Sequence, residues 1–184
     1  MKRKSKLSRR KHKKNPVAVL CSTLGTAMLV VLVLLCLPLT VPRMAGYELY
    51  TVISGSMEPE IPVGSLVYIQ GAAPEDMQED DIIAFYGAKD SNAIITHRIV
   101  ENRVVMGEFI TKGDANKTKD MNPIPYENFI GKVTLSVPVL GHLAQLITSF
   151  HGKLAAAGFI LVALVLQLIA VAIDKMSEKK HSRK

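Results

Sequence analysis

The chain has 184 residues, 48% of them hydrophobic, with a formal net charge of +7 and two cysteines. The positive charge lies at the ends: residues 1–14 carry nine Lys or Arg and no acid, and residues 174–184 carry five against two acids, whereas residues 43–153 hold nine basic and fourteen acidic side chains. A nucleic-acid binder concentrates positive charge on its folded part, so an acidic middle excludes that class.

The basic segment 1–16 leads into Val17–Leu37, 21 residues without a charge. At ~1.5 Å per helical residue, that run crosses a hydrocarbon core of about 30 Å. It is longer than the ~7–15-residue apolar region of a cleaved signal, and "PLTVPRMAG" after it offers no small-x-small cleavage pattern. It therefore reads as an uncleaved anchor. Leu154–Ile173 is a second such run, with Gln167 its only strongly polar side chain. Basic segments beside membrane spans stay on the cytoplasmic side. The charge split thus predicts two cytoplasmic tails, 1–16 and 174–184, around an extracytoplasmic middle. Cys21 and Cys36 both fall in the first span, 15 residues apart. That is on the order of 22 Å along a helix, too far for a disulfide within one chain. The middle region has no cysteine, so neither a disulfide nor a cysteine-based metal site is expected in it.

Between the spans, residues 43–139 are long enough for one small domain. Apolar and β-branched runs alternate with turn residues: "YELYTVI", "SLVYIQ", "DIIAFY", "AIITHRIVE", "RVVMGEFITKG" and "FIGKVTLSVPVL". Such spacing predicts a compact antiparallel sheet or barrel. "NKTKDMNPIP" (116–125) is polar and rich in breakers, and so reads as a loop. Residues 140–153 read as an amphipathic segment that could lie on the bilayer surface before the second span.

Chemistry enters at "TVISGSMEPEIPVGSLVYI" (51–69), where two hydroxyls and a glycine interrupt an apolar run. Serine catalysis needs a hydroxyl, a nearby base and donors for the oxyanion. Gly55 before Ser56 allows a turn in which an N–H and a hydroxyl converge, although Ser-Gly-Ser turns without any function are common. Of the five histidines, His12 and His181 fall in the tails, and His142 and His151 lie on the amphipathic segment. His97, in "IITHRIVE", is the remaining candidate base, and a strand histidine alone is more often structural. "FITKGDANKTKD" (109–120) then supplies Asp114 and Asp120 as carboxylates that could orient an imidazole. Either could equally be a turn aspartate capping its own backbone. Lys112 is a rival base, since a buried lysine can activate a serine.

"SGSMEP", "DDIIAFY", "THRIV" and "KGDAN…D" resemble, in order and approximate spacing, the boxes of the type I signal peptidases, over residues 45–135 and the anchor before them. A histidine in the fourth box resembles the branch found in the endoplasmic reticulum, in archaea and in some Gram-positive bacteria. The resemblance implies a mostly β, coiled-barrel-like catalytic domain between an N-terminal and a C-terminal transmembrane helix. It implies Ser56 as nucleophile, His97 as general base, Asp120 as its partner and Asp114 as a supporting carboxylate. Ser54 and the Ser56 N–H would form the oxyanion site. Met57, Pro59, Ile82, Ile83 and Phe85 would line the substrate groove, with an edge near Ile82–Phe85 receiving an extended substrate strand. "GDAN" departs from the commoner "GDNN". The function implied is removal of signal peptides from exported preproteins, without metal or cofactor. The second span favours a bacterial plasma membrane over the endoplasmic reticulum as the setting, in contact with lipid. The rival from another class is a catalytically silent anchored β-module that assists assembly of surface proteins or fibres. A self-cleaving Ser-Lys protease has the wrong setting, because the chain carries two spans and no DNA-binding segment.

Overall fold

The computed structural model describes residues 15–88 and 91–182; most of the tail 1–16 and the last two residues of the tail 174–184 lie outside them. Two units make up the chain. One contains the bulk of two long apolar helices, and the other spans Cys36–Lys153.

Helix α1 covers Pro16–Met44, and Asn15 caps its start by accepting the Val17 N–H on Oδ1 at 3.0 Å. Helix α3 covers Phe150–Ser182, with the Ser149 hydroxyl accepting the Gly152 N–H at 3.0 Å. Both are long and apolar enough to cross a membrane. α3 runs past its uncharged stretch because Met, Lys and Glu are good helix formers and do not end a helix, whereas α1 continues to Met44 with Pro38 and Pro42 inside it. In the helical unit, the Gln167 amide donates to Thr26 Oγ1 (2.8 Å) and to the Ser22 carbonyl (3.1 Å). A Cβ on Gly25 would lie 2.9 Å from the Ala163 carbonyl oxygen, so the glycine permits that close approach.

The second unit is built on seven strands: β1 (Tyr47–Thr51), β2 (Leu66–Gln70), β3 (Ile82–Ala88), β4 (Ser91–Arg103), β5 (Glu108–Lys112), β6 (Ile124–Pro125) and β7 (Phe129–Val137). They form one sheet in the order β1-β2-β7-β3-β4-β5-β6, and each of these neighbours is paired antiparallel. No pairing closes β1 onto β6 among the described residues, so the architecture is an antiparallel sheet and not a hydrogen-bonded barrel. All six apolar runs of the sequence became strands. The seventh, β6, lies inside the stretch read as a loop; it has two residues, one of them proline, and sits at the sheet edge where proline is tolerated.

β3 is buried on both faces, because Ile83 and Phe85 enter one apolar cluster with Met77, Ile99, Phe109 and Ile124, while Ala84 enters another with Met57, Ile61, Val67 and Ile69. Fully burying a side chain such as Phe85 or Phe109 contributes about 1.5–3 kcal/mol. A third cluster packs Leu66, Tyr68 and Ala144 together with Leu39, Leu49 and Leu140. Its helix, α2, covers only Leu140–Thr148, since the backbone turns extended at Ser149. The 140–153 segment is therefore broken at Ser149 and is not one continuous helix. Leu140 and Ala144 face β1 and β2 rather than open solvent, although Leu146 on another side stays exposed. Gly141 at the start of α2 donates its N–H to the Gly64 carbonyl at 3.0 Å, and a Cβ there would sit 2.5 Å from the Ser65 carbonyl oxygen. This helix thus abuts the base of the connector that carries Ser54 and Ser56.

Candidate active site

The connector between β1 and β2 is pinned at its neck, where Val52 N–H donates to the Ser65 carbonyl (2.9 Å) and Gly64 N–H to the Val52 carbonyl (2.8 Å). Within it, Glu58 N–H reaches the Gly55 carbonyl (3.1 Å) and Ile61 N–H the Met57 carbonyl (2.8 Å), with Met57 and Ile61 sunk into the core. The buried Met57 anchors its neighbour Ser56. The Ser56 N–H has no acceptor among the described residues, and no hydrogen bond joins Ser56 Oγ to His97 among them. In unliganded sites such bonds are often long and tighten only with substrate.

β4 and β5 supply the base and its support. Strand side chains alternate between faces. His97 and Ile99 are both buried, and Thr111 lies opposite Ile99 in the register, so His97 and Thr111 share one face. His97 Nδ1 lies 2.6 Å from Asp120 Oδ2, and Thr111 Oγ1 donates to the same oxygen at 2.6 Å. A carboxylate only accepts, so this contact puts the imidazole proton on Nδ1 and leaves Nε2 as a proton acceptor. The Phe85 ring meets the imidazole edge to face, with centroids 6.1 Å apart.

Gly113 is where these pieces meet. A Cβ on it would lie 2.6 Å from the Ser56 carbonyl oxygen, 2.8 Å from Asn116 Nδ2 and 3.0 Å from His97 Nε2. The free nitrogen of the imidazole and the backbone of Ser56 therefore converge over one glycine. The next turn ties them further, because Ala115 N–H donates to the Ser56 carbonyl at 2.9 Å.

Asp114 faces elsewhere. Arg98 grips it through two bonds, Nε to Oδ1 (2.9 Å) and Nη2 to Oδ2 (2.7 Å), and donates from Nη1 to the Asp80 carbonyl (2.8 Å). The hydrogen-bonded Asp114 carboxylate raises the Arg98 pKa above its ordinary value. Lys112 pairs with Arg98 in the register and so lies on the face opposite His97.

A cleft of about 350 Å³ opens beside the serines, lined by Tyr50, Val52, Ser54, Ser56, Ile94 and Thr96 among others. Tyr50 donates to Glu48 at 2.5 Å, and burial, reinforced by that carboxylate, pushes the phenol up to about 12, so it stays neutral in this wall. Of the groove residues expected from the sequence, Met57 lines the cleft. Ile83 and Phe85 are fully buried, and β3 is paired with β4 on one side and β7 on the other along Ile83–Phe85. The expected edge at Ile82–Phe85 is thus absent: Ile82 packs partly buried against the core, and Pro59 lies exposed outside the cleft lining. Among the described residues, no group of three or more His, Cys, Asp or Glu could hold a metal ion.

Sequence reasoning missed Thr111, Gly113 and Arg98 as parts of the site. Thr111 had a readable signal, because in "EFITK" it shares the inward face of Phe109. A polar side chain on an apolar face needs a partner.

A serine beside a histidine–carboxylate pair, on an antiparallel domain joined to two apolar helices, has the makings of a membrane-borne serine hydrolase site. The comparisons narrow this class. Over 97 residues the chain is 39% identical to Signal peptidase I W of Bacillus subtilis, covering 50% of each chain. It is 30% identical over 128 residues to the signal peptidase complex catalytic subunit of Pyricularia oryzae, covering 63% of this chain and 73% of that one. The corresponding subunit of Colletotrichum graminicola is 29% identical over 126 residues, again 63% and 73%. No protein-family model matches. The chain belongs to the type I signal peptidases, a family of serine endopeptidases. It spans about half the length of the Bacillus relative.

Proposed function

We propose that this protein is a membrane-bound endopeptidase that removes signal peptides from exported preproteins, with Ser56 as nucleophile, His97 as general base and Asp120 as the carboxylate that orients it. One observation carries the reading: the bond from His97 Nδ1 to Asp120 turns Nε2 over Gly113, toward the backbone of Ser56. In the first step Ser56 Oγ bonds to the scissile carbonyl carbon while its proton passes to Nε2. Asp120 stabilises the imidazolium that forms. The Ser56 N–H and the Ser54 hydroxyl are the candidate donors to the oxyanion, in the role that commonly costs 10²–10³ in rate when one donor is lost. Collapse of the adduct breaks the C–N bond, and Nε2 returns its proton to the leaving amine. Water then takes the place of Ser56 through the same base, releasing the acid.

Substrate placement follows the cleft. Along residues 94–97, β4 has β3 on one side and no strand on the other among the described residues, since pairing with β5 begins at Arg98. β1 is the last strand at its end of the sheet. An extended peptide between 52–54 and 94–96 would pair with backbone on both sides and pass Ser56. The basic ends of the sequence support cytoplasmic termini with the β domain on the other side of the membrane, and the second apolar helix favours a bacterial plasma membrane over the endoplasmic reticulum. Processing of a panel of preproteins in membranes by wild type and Ser56→Ala tests the function. Cleavage by the wild type alone is expected, and equal cleavage by both would overturn it, as would a silent wild type, which would favour the anchored assembly module.

A further inference from the structure

Thr111 grips Asp120 at both ends of the residue. The Thr111 carbonyl accepts the Asp120 N–H at 2.8 Å, and its hydroxyl donates to Asp120 Oδ2 at 2.6 Å. That same Oδ2 takes the His97 Nδ1 contact at 2.6 Å. The threonine is fully buried, and a β-branched side chain has a stiff χ1, so its hydroxyl cannot swing away to another partner. The loop between the two residues also holds Ala115, whose N–H fixes the Ser56 carbonyl.

Resting on the reading of His97 as base, we infer that Thr111 is a positioning residue for it. Its hydroxyl selects the Asp120 rotamer in which Oδ2 faces Nδ1, and thereby sets the imidazole tautomer. Without the hydroxyl, the carboxylate keeps its backbone tether but loses the bond that aims it. Loop closure and carboxylate aiming are therefore separable, because the first runs through the Thr111 carbonyl and the second through Oγ1.

Thr111→Val retains β-branching, volume and the backbone bond while removing only the hydroxyl. It should lower kcat for a preprotein roughly ten- to a hundredfold, the worth of one hydrogen bond to a charged group, with KM unchanged. Thr111→Ser should recover most of the rate. The second readout does not depend on activity. In the full-length protein in detergent micelles, NMR of ¹⁵N-labelled imidazoles should show His97 carrying its proton on Nδ1, hydrogen-bonded and slow to exchange. That signal should vanish in Thr111→Val and return in Thr111→Ser. Its survival unchanged in Thr111→Val would overturn the inference, and so would a serine variant no better than valine. A wild type that cleaves no preprotein would sink the peptidase reading, while the imidazole spectra would still decide the role of Thr111.

Discussion

One face of the β4–β5 ladder carries His97 and Thr111, with Asp120 reaching back to them from the loop; the other carries Arg98 and Lys112, with Asp114 reaching back to Arg98. Each face has a cation or potential cation bonded to a carboxylate, six residues apart in one loop. The difference lies in what the cation can do next. An imidazole held through Nδ1 still has a basic nitrogen to offer, and here it points over Gly113. A guanidinium bound twice by Asp114 and once by the Asp80 carbonyl is always charged and has no basic atom to offer. Chemistry is therefore possible on the first face, whereas the second ties the loop to the start of β3.

The comparison breaks most visibly through the base. His97→Ala should slow processing by several powers of ten in a protein that still folds and inserts. An active His97→Ala variant beside a dead Lys112→Ala variant would move the chemistry to the wrong face. Next in size is Gly113→Ala. Its methyl would meet the Ser56 carbonyl at 2.6 Å, a backbone contact that cannot yield without moving the serine. A shift on the order of 1 Å costs about 10²-fold in rate, so a wild-type rate in this variant would mean that the convergence is unimportant. Smaller still, Arg98→Leu should lower stability by about 1–3 kcal/mol through loss of a charged hydrogen-bond pair, read as a drop in melting temperature with activity retained in the folded fraction. The smallest effect belongs to Lys112→Ala, which should stay within about 0.5 kcal/mol in stability and keep most of the activity.

Much of this was legible in the residues. The two apolar runs declared the helices, and six β-branched runs declared six strands, because burial imposes both patterns. Residue chemistry alone offered Ser56, His97 with Lys112 as a rival base, and either Asp114 or Asp120 as candidates, because serine chemistry needs a hydroxyl, a base and a carboxylate; the choice of Asp120 came from the family resemblance. Residue type and spacing could not separate Asp114 from Asp120, since which face of β5 each returns to depends on the path of the intervening loop. The groove was misplaced for a related reason. "DIIAFY" reads as a strand, but that β3 lies between β7 and β4, with Ile83 and Phe85 buried, is a matter of strand order. Local pattern does not specify strand order.

The central claim is that the two aspartates divide the work, Asp120 serving the reaction and Asp114 the fold. Single-turnover cleavage of a preprotein, measured beside the melting temperature for Asp120→Asn and Asp114→Asn, tests it most directly. Asp120→Asn should stay folded yet lose on the order of 10⁴ in rate, because an amide can hold the imidazole in the wrong tautomer. Asp114→Asn should melt earlier, by loss of about 1–3 kcal/mol from its bonds to Arg98, and should cleave at close to the wild-type rate while folded. A stable but inactive Asp114→Asn together with an active Asp120→Asn would contradict the account and reverse the two roles.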